Sequence, residues 1–186
     1  MSNEKRSYEL KERARRQEET RRRIAAATAG LHEEVGPAKT TVAEVARRAG
    51  VRRPTVYNNF PRERELFAAC QAHFIAGHPP PDFSPDEPPA VMLRRLYGWY
   101  RENQAMTGNV QRDRRLLPEL DALLAETSDR QLDALAAALA GRRKRRSRAL
   151  ARLAVDFTTW KRLTDEGLSD AQAAEAMALA VRAAAK

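Results

Sequence analysis

The chain has 186 residues, a formal net charge of +9 and a pI near 10.3, a length that buries a good core and suits one large or two small domains. Its single cysteine, Cys70, excludes an internal disulfide and points to a reducing compartment. No apolar run approaches the roughly 20 residues of a membrane span, and the charged N-terminus lacks the apolar core of a secretory signal, so a cytoplasmic protein is expected.

Tyr8–Arg23 mixes Glu with Lys and Arg at helical offsets, a pattern that extends a first helix toward the N-terminus. Its basic residues and those just before it (Lys5, Arg6, Lys11, Arg13, Arg15 and Arg16) suit a nucleic-acid backbone or minor groove, or equally a solvated charged helix. The core stripe of helix one is Ile24, Ala27, Leu31 and Val35, and Gly36-Pro37 ends it. Thr40 or Thr41 caps a second, amphipathic helix, with Val42, Val45, Ala46 and Ala49 on one face. Gly50 permits the positive φ that stops it, and Val51 plugs the corner. Pro54 suits the first turn of a third helix. That helix buries Val56 and Phe60 and offers Arg53, Thr55, Tyr57, Asn58 and Asn59 on its other face. Helix, tight turn and helix in this order make a helix-turn-helix, whose second helix enters a DNA major groove. Pro61 opens a fourth helix reaching Gly77, with a core stripe of Leu66, Phe67, Cys70 and Phe74. Cys70 reads as a small buried hydrophobe.

Prolines 79, 80, 81, 85, 88 and 89 forbid helix and mark a stiff linker over residues 79–89. The domains are therefore expected at 1–78 and 90–186. Ala90–Met106 is a helix rich in large apolar groups, broken at Thr107-Gly108-Asn109. Val110–Leu117 is a short charged helix ended by Pro118. Glu119–Ala140 is helical with a break near Thr127-Ser128, and Leu120, Leu123, Leu124, Leu132, Leu135 and Leu139 line its core side. Arg142–Arg148 is the densest basic run, either an exposed loop or a second DNA or anion contact. Leu150–Asp165 reads as one helix with Leu153, Phe157, Trp160 and Leu163 inward, and Gly167 ends it. Ser169-x-x-Gln172 is a capping box for the last helix, Asp170–Ala185. No strand pattern, Gly-rich phosphate loop or internal repeat is present, so the fold class is all-α. Residues 1–78 hold 16 Lys/Arg against 10 Asp/Glu, and residues 79–186 hold 18 against 15. The excess thus sits mainly in the helix-turn-helix half, as DNA binding requires.

The stretch from Arg22 to Phe74 resembles the DNA-binding domain of the TetR family of bacterial repressors. The frame is an apolar helix (Ile24 to Val35), Gly36, Thr40 and Thr41, the core Thr55-Val56-Tyr57, then Phe60-Pro61 and a fourth helix. The resemblance implies an N-terminal helix-turn-helix domain joined to a C-terminal helical ligand and dimerisation domain. It also implies a homodimer formed by the last two helices, Ser147–Glu166 and Asp170–Ala185, on a palindromic operator in double-stranded DNA, and release by a small-molecule inducer. Tyr57 matches the family tyrosine that contacts a phosphate, and Asn59 falls where relatives carry His or Tyr near the backbone. By chemistry Arg53 and Asn58 are the base readers, Arg for guanine and Asn for adenine, with a phosphate role also open to Arg53. Thr55 and Thr40 or Thr41 would hold phosphates. Arg52 stands where the family carries Ser or Thr, and Glu63 where it carries Lys. A carboxylate repels phosphate, so Arg62 or Arg64 replaces that contact. Pro54 completes the set.

For the inducer, Trp99, Tyr100, Met106, Phe157 and Trp160 are the candidate pocket residues, and core packing explains each of them as simply. His32, His73 and His78 are scattered, so no metal site or cofactor is expected. No nucleophile–base pair is present, so no catalytic residue is assigned. The rival readings are a regulator without inducer, controlled by protein partners, and an enzyme. A filled C-terminal core would favour the first, and a cavity with a convergent titratable pair the second.

Overall fold

A computed structural model describes residues 2–84, 86–141 and 145–184, and every regular element among them is helical. The helices gather into two compact units, one of Met1–His78 with Asn109–Leu123 and one of Pro79–Gly108 with Leu124–Lys186.

In the first unit, α1 (Ser2–Glu34) includes the charged extension, whose Glu12 pairs with Arg15 and Arg16 and whose Glu19 pairs with Arg22. Gly36, at φ 94°, turns the chain into a 3-10 turn at Pro37–Lys39. Then come α2 (Val42–Ala49), α3 (Arg53–Asn59) and α4 (Glu63–Gly77). Thr41 caps α2, its hydroxyl accepting from the Glu44 N–H at 3.2 Å. Gly50, at φ 66°, stops α2 in the left-handed conformation that glycine adopts without a Cβ clash. Ile24, Ala27 and Leu31 pack against Val45, Ala46, Ala49, Val56 and Phe60. Ile24, Val45 and Val56 are fully buried, each worth roughly 1.5–3 kcal/mol relative to exposure. Two expectations fail here. Val35 is 40% exposed rather than in the core stripe, because α1 ends before it. Pro61 lies ahead of α4, for which Arg62 is the N-cap.

The second unit holds α5 (Pro89–Glu102), the start of α6 (Gln104–Asp113), and the whole of α8 (Ser128–Ala140), α9 (Arg145–Ala154), α10 (Phe157–Asp165) and α11 (Asp170–Ala183). α7 (Pro118–Glu126), like α6, contributes to both units. Thr107-Gly108-Asn109 lies inside α6, and the break falls at Asn103 instead. The Asn103 side chain donates to the Trp99 carbonyl at 2.8 Å, sharing it with the Asn103 backbone N–H at 3.0 Å. A mid-helix glycine costs only about 1 kcal/mol against alanine, too little to force a break at Gly108. α7 and α8 (Ser128–Ala140) meet at Thr127, near the expected position, and Gly141 closes α8.

The expected single helix over Leu150–Asp165 is two, α9 (Arg145–Ala154) and α10 (Phe157–Asp165). Asp156 caps α10 by accepting from the Thr159 N–H at 2.9 Å. Buried Tyr97 and Tyr100 donate to the Ala154 and Val155 carbonyls at 2.7 and 2.6 Å, satisfying acceptors that the break frees. Leu153 is 51% exposed, a correction to its inward placement, because Ala151 and Ala154 form the buried face of α9 instead. Arg142, Arg143 and Lys144 of the basic run lie outside the described residues, and Arg145–Arg148 form the first turn of α9 rather than a loop. The expected capping box opens α11 (Asp170–Ala183), with both reciprocal bonds formed. In the Pro-rich segment Phe83 packs on the core of this unit, Arg95 donates to the Asp82 carbonyl at 2.9 Å, and Arg95 also pairs with Glu87. Among the described residues no helix is long and apolar enough to cross a membrane.

Candidate nucleic-acid interface

The α3 face opposite Val56 is exposed, and it carries Arg53, Pro54, Tyr57 and Asn58, with Arg52 as the N-cap. Tyr57 is 56% exposed. Arg47 and Arg48 on α2 are engaged by Glu44 and Glu34 respectively. Among the described residues Arg52 and Arg53 make no side-chain hydrogen bond or ion pair. Their guanidinium groups are therefore available to phosphate oxygens or to the O6 and N7 edge of guanine.

Thr55 is half-buried. Asn59 is turned the other way: its side-chain amide donates to the Thr55 carbonyl at 2.8 Å, and its Oδ1 is buried without a partner. The Thr41 hydroxyl is occupied by the cap, and the Thr40 hydroxyl donates to the Gly36 carbonyl at 2.9 Å. Arg62 bonds Glu65, which holds the Glu65 carboxyl below its usual range, and Arg64 is half-buried in the first turn of α4. Glu63 and Glu65 occupy that first turn, where a helix dipole favours negative charge.

A joint supports the turn that leads to Thr40 and Thr41, and it rests on residues the sequence reading did not single out. Asn109 donates to the His32 and Glu33 carbonyls at 3.0 and 2.8 Å, and Arg112 to the Val35 carbonyl at 3.2 Å. These are the last carbonyls of α1 and its exit, of which the His32 carbonyl also accepts from the Gly36 N–H at 3.1 Å. Asp113 accepts from the Ala38 N–H at 3.0 Å. Arg112, bonded to both Asp113 oxygens, holds that carboxyl below its usual range against the opposing effect of burial. A Cβ on Gly36 would lie 2.4 Å from the Asp113 Oδ2, so the joint requires glycine for space as well as for φ. Its only sequence signal is the glycine itself, since Asn109, Arg112 and Asp113 are some 75 residues away along the chain.

Behind this face His32 and Cys70 meet at 3.4 Å, both buried. Burial lowers His32 to about 4 and raises Cys70 to about 12, so both are neutral near pH 7. Among the described residues no group of three His, Cys, Asp or Glu side chains converges.

Four of the five candidate pocket residues come together in the second unit. Tyr100 meets Phe157, Trp160 and Trp99 at ring-centroid distances of 5.3, 5.7 and 5.9 Å, and Phe157 meets Trp160 at 5.4 Å. Tyr100, Phe157, Trp160 and Met106 are buried and Trp99 partly so. The Trp160 indole donates to Asp170, which is bidentate to Arg101.

Residues 24–70 match the model for bacterial regulatory proteins of the tetR family. An uncharacterised HTH-type transcriptional regulator of Mycobacterium tuberculosis and another of Mycobacterium bovis are each 44% identical over 54 residues. That stretch is 29% of this chain and spans 29% of the length of these curated relatives. The crystal structure of a TetR transcriptional regulator from Rhodococcus sp. RHA1 has a similar fold, with a TM-score of 0.51 and 23% identity over 91% of this chain and 97% of that one.

Proposed function

The chain belongs to the TetR family through its N-terminal helix-turn-helix domain, and from that premise we propose that it is a homodimeric repressor of transcription, released from a palindromic operator by a small molecule. The observation that carries this reading is the outward face of α3. Arg52, Arg53, Tyr57 and Asn58 are exposed there, with both guanidinium groups unspent, on a helix fixed by buried Val56. In this reading Arg53 and Asn58 read base edges, and Arg52, Thr55 and Tyr57 hold phosphates around them. Thr40 and Thr41 contact the backbone at the start of α2. Arg62 and Arg64 do so ahead of and within α4. Arg62 exchanges Glu65 for a phosphate, an exchange made easy by the weakness of exposed ion pairs. Asn59 contributes through its place at the end of α3, since its amide is committed to Thr55.

One such domain touches few base pairs, and a two-fold dimer doubles the contacts. Leu153 on α9 and Leu179 on α11 support the dimer reading, because they stay 51% and 56% exposed on helices that pack against each other. Control without an inducer is the second reading, and the ring-to-ring packing of Tyr100, Phe157 and Trp160 favours it. Both readings place the protein on DNA in the cytoplasm.

A mobility-shift assay on DNA immediately upstream of the chain's own gene, at two salt concentrations, tests the proposal. The expected result is a tight, palindrome-dependent shift that loosens steeply with salt. Arg53→Ala should cost about 1–3 kcal/mol on the operator if Arg53 reads a base. Equal loss on operator and random DNA would reduce Arg53 to a phosphate contact.

A further inference from the structure

The recognition helix is short and carries no basic residue in its last turn. Its C-terminal carbonyls therefore need donors from outside the helix. Arg21 of α1 supplies one: its guanidinium donates to the carbonyl of Asn59, the last residue of α3. The same guanidinium lies over the ring of Phe60, 4.2 Å from its centroid. Phe60 is buried and its N–H closes the helix on the Val56 carbonyl at 2.8 Å. Two residues along α1, Arg23 approaches the carbonyl of Ala49, the last residue of α2, at 3.4 Å. Ile24, next in the chain, is fully buried in the core that α1 shares with α2 and α3. Arg21 thus spans from a rigid helix to the end of the element that would meet the bases.

We propose that Arg21 is a positioning residue for sequence recognition: it fixes the C-terminal end of α3, and so the aim of Asn58 and Arg53, without itself touching DNA. A planar guanidinium suits this task, because one group bonds a carbonyl while its face stacks on a ring, and an ammonium lacks the face. A cation there also complements the negative end of the α3 dipole. This inference rests on the DNA-binding reading above and names a residue that decides specificity within it.

The test uses the full chain, a duplex enriched by the wild-type protein from a random-sequence pool, and a scrambled duplex of equal length. Affinities for both are measured at several salt concentrations, at a temperature where circular dichroism shows each variant folded. For Arg21→Ala the ratio of the two affinities should fall about tenfold or more, as expected when a base contact is misaligned. Affinity for the scrambled duplex and the salt slope should not change, and Arg21→Lys should restore the ratio only in part. A loss shared equally by both duplexes, with the salt slope reduced by about one, would make Arg21 a phosphate contact and overturn the proposal. A lower melting temperature with an unchanged ratio would overturn it as well, leaving a purely structural residue. Should Arg21→Ala not fold, Arg21→Lys and Phe60→Leu, which keeps an apolar plug but removes the ring, face the same criteria. A wild-type protein that enriches no duplex defeats the DNA-binding reading itself, an outcome distinct from a variant that keeps its discrimination.

Discussion

His32 packs against Cys70 and Phe67 in the core behind the recognition helix. Desolvation lowers its pKa from about 6.5 to about 4, with the nearby Asp113 charge opposing the shift only in part. Between these values the unfolded chain binds a proton that the folded chain refuses, so stability rises with pH across the window. The contribution is complete above pH 6.5 and disappears as pH falls toward 4. The Arg48 and Arg47 guanidinium groups hold the carboxyls of Glu34 and Glu44 below their usual range. Urea unfolding at pH 7 and pH 5 should show a loss on the order of 2 kcal/mol from this one group. His32→Gln should be less stable at pH 7 and should lose most of the pH dependence; an unchanged dependence would assign it to other groups. Cys70, held protonated by burial, is a core side chain here and not a reactive thiol.

At the scale of the helix, caps divide stability from recognition. Ser169→Ala removes the hydroxyl of the α11 capping box and should cost about 1 kcal/mol in thermal or urea unfolding, with DNA affinity intact. Thr41→Ala removes the α2 cap at a similar cost, and on the proposed reading, in which Thr41 contacts the DNA backbone, it should also weaken DNA binding. Both caps are legible in the sequence because cap, turn and helix lie within four residues of each other. Gly50 and the exposed face of α3 are legible for the same reason. One misread break depends on distant partners. The α9–α10 junction is held by Tyr97 and Tyr100, more than 50 residues upstream. α5 ends at Asn103 and not at Gly108, and the Asn103 side-chain bond to the Trp99 carbonyl is a local contact that a propensity scale does not contain. Arg21 reads as one more charge in a charged helix until Asn59 is brought beneath it. Asn59 reads as an exposed residue near the DNA backbone, although its amide turns back to Thr55.

At the scale of the whole molecule, a chain of net charge +9 meets a polyanion by electrostatic attraction, which supplies affinity without specificity. In the proposed dimer discrimination comes from the few side chains of α3 taken twice, which makes two-fold symmetry the central claim of the proposal. Selection of duplexes from a random pool by the full chain tests it most directly. The enriched sequences should form an inverted repeat, with half-sites centred about 10 base pairs or a multiple of a helical turn apart. Enrichment of a single unrepeated half-site, or of no sequence at all, would contradict the account.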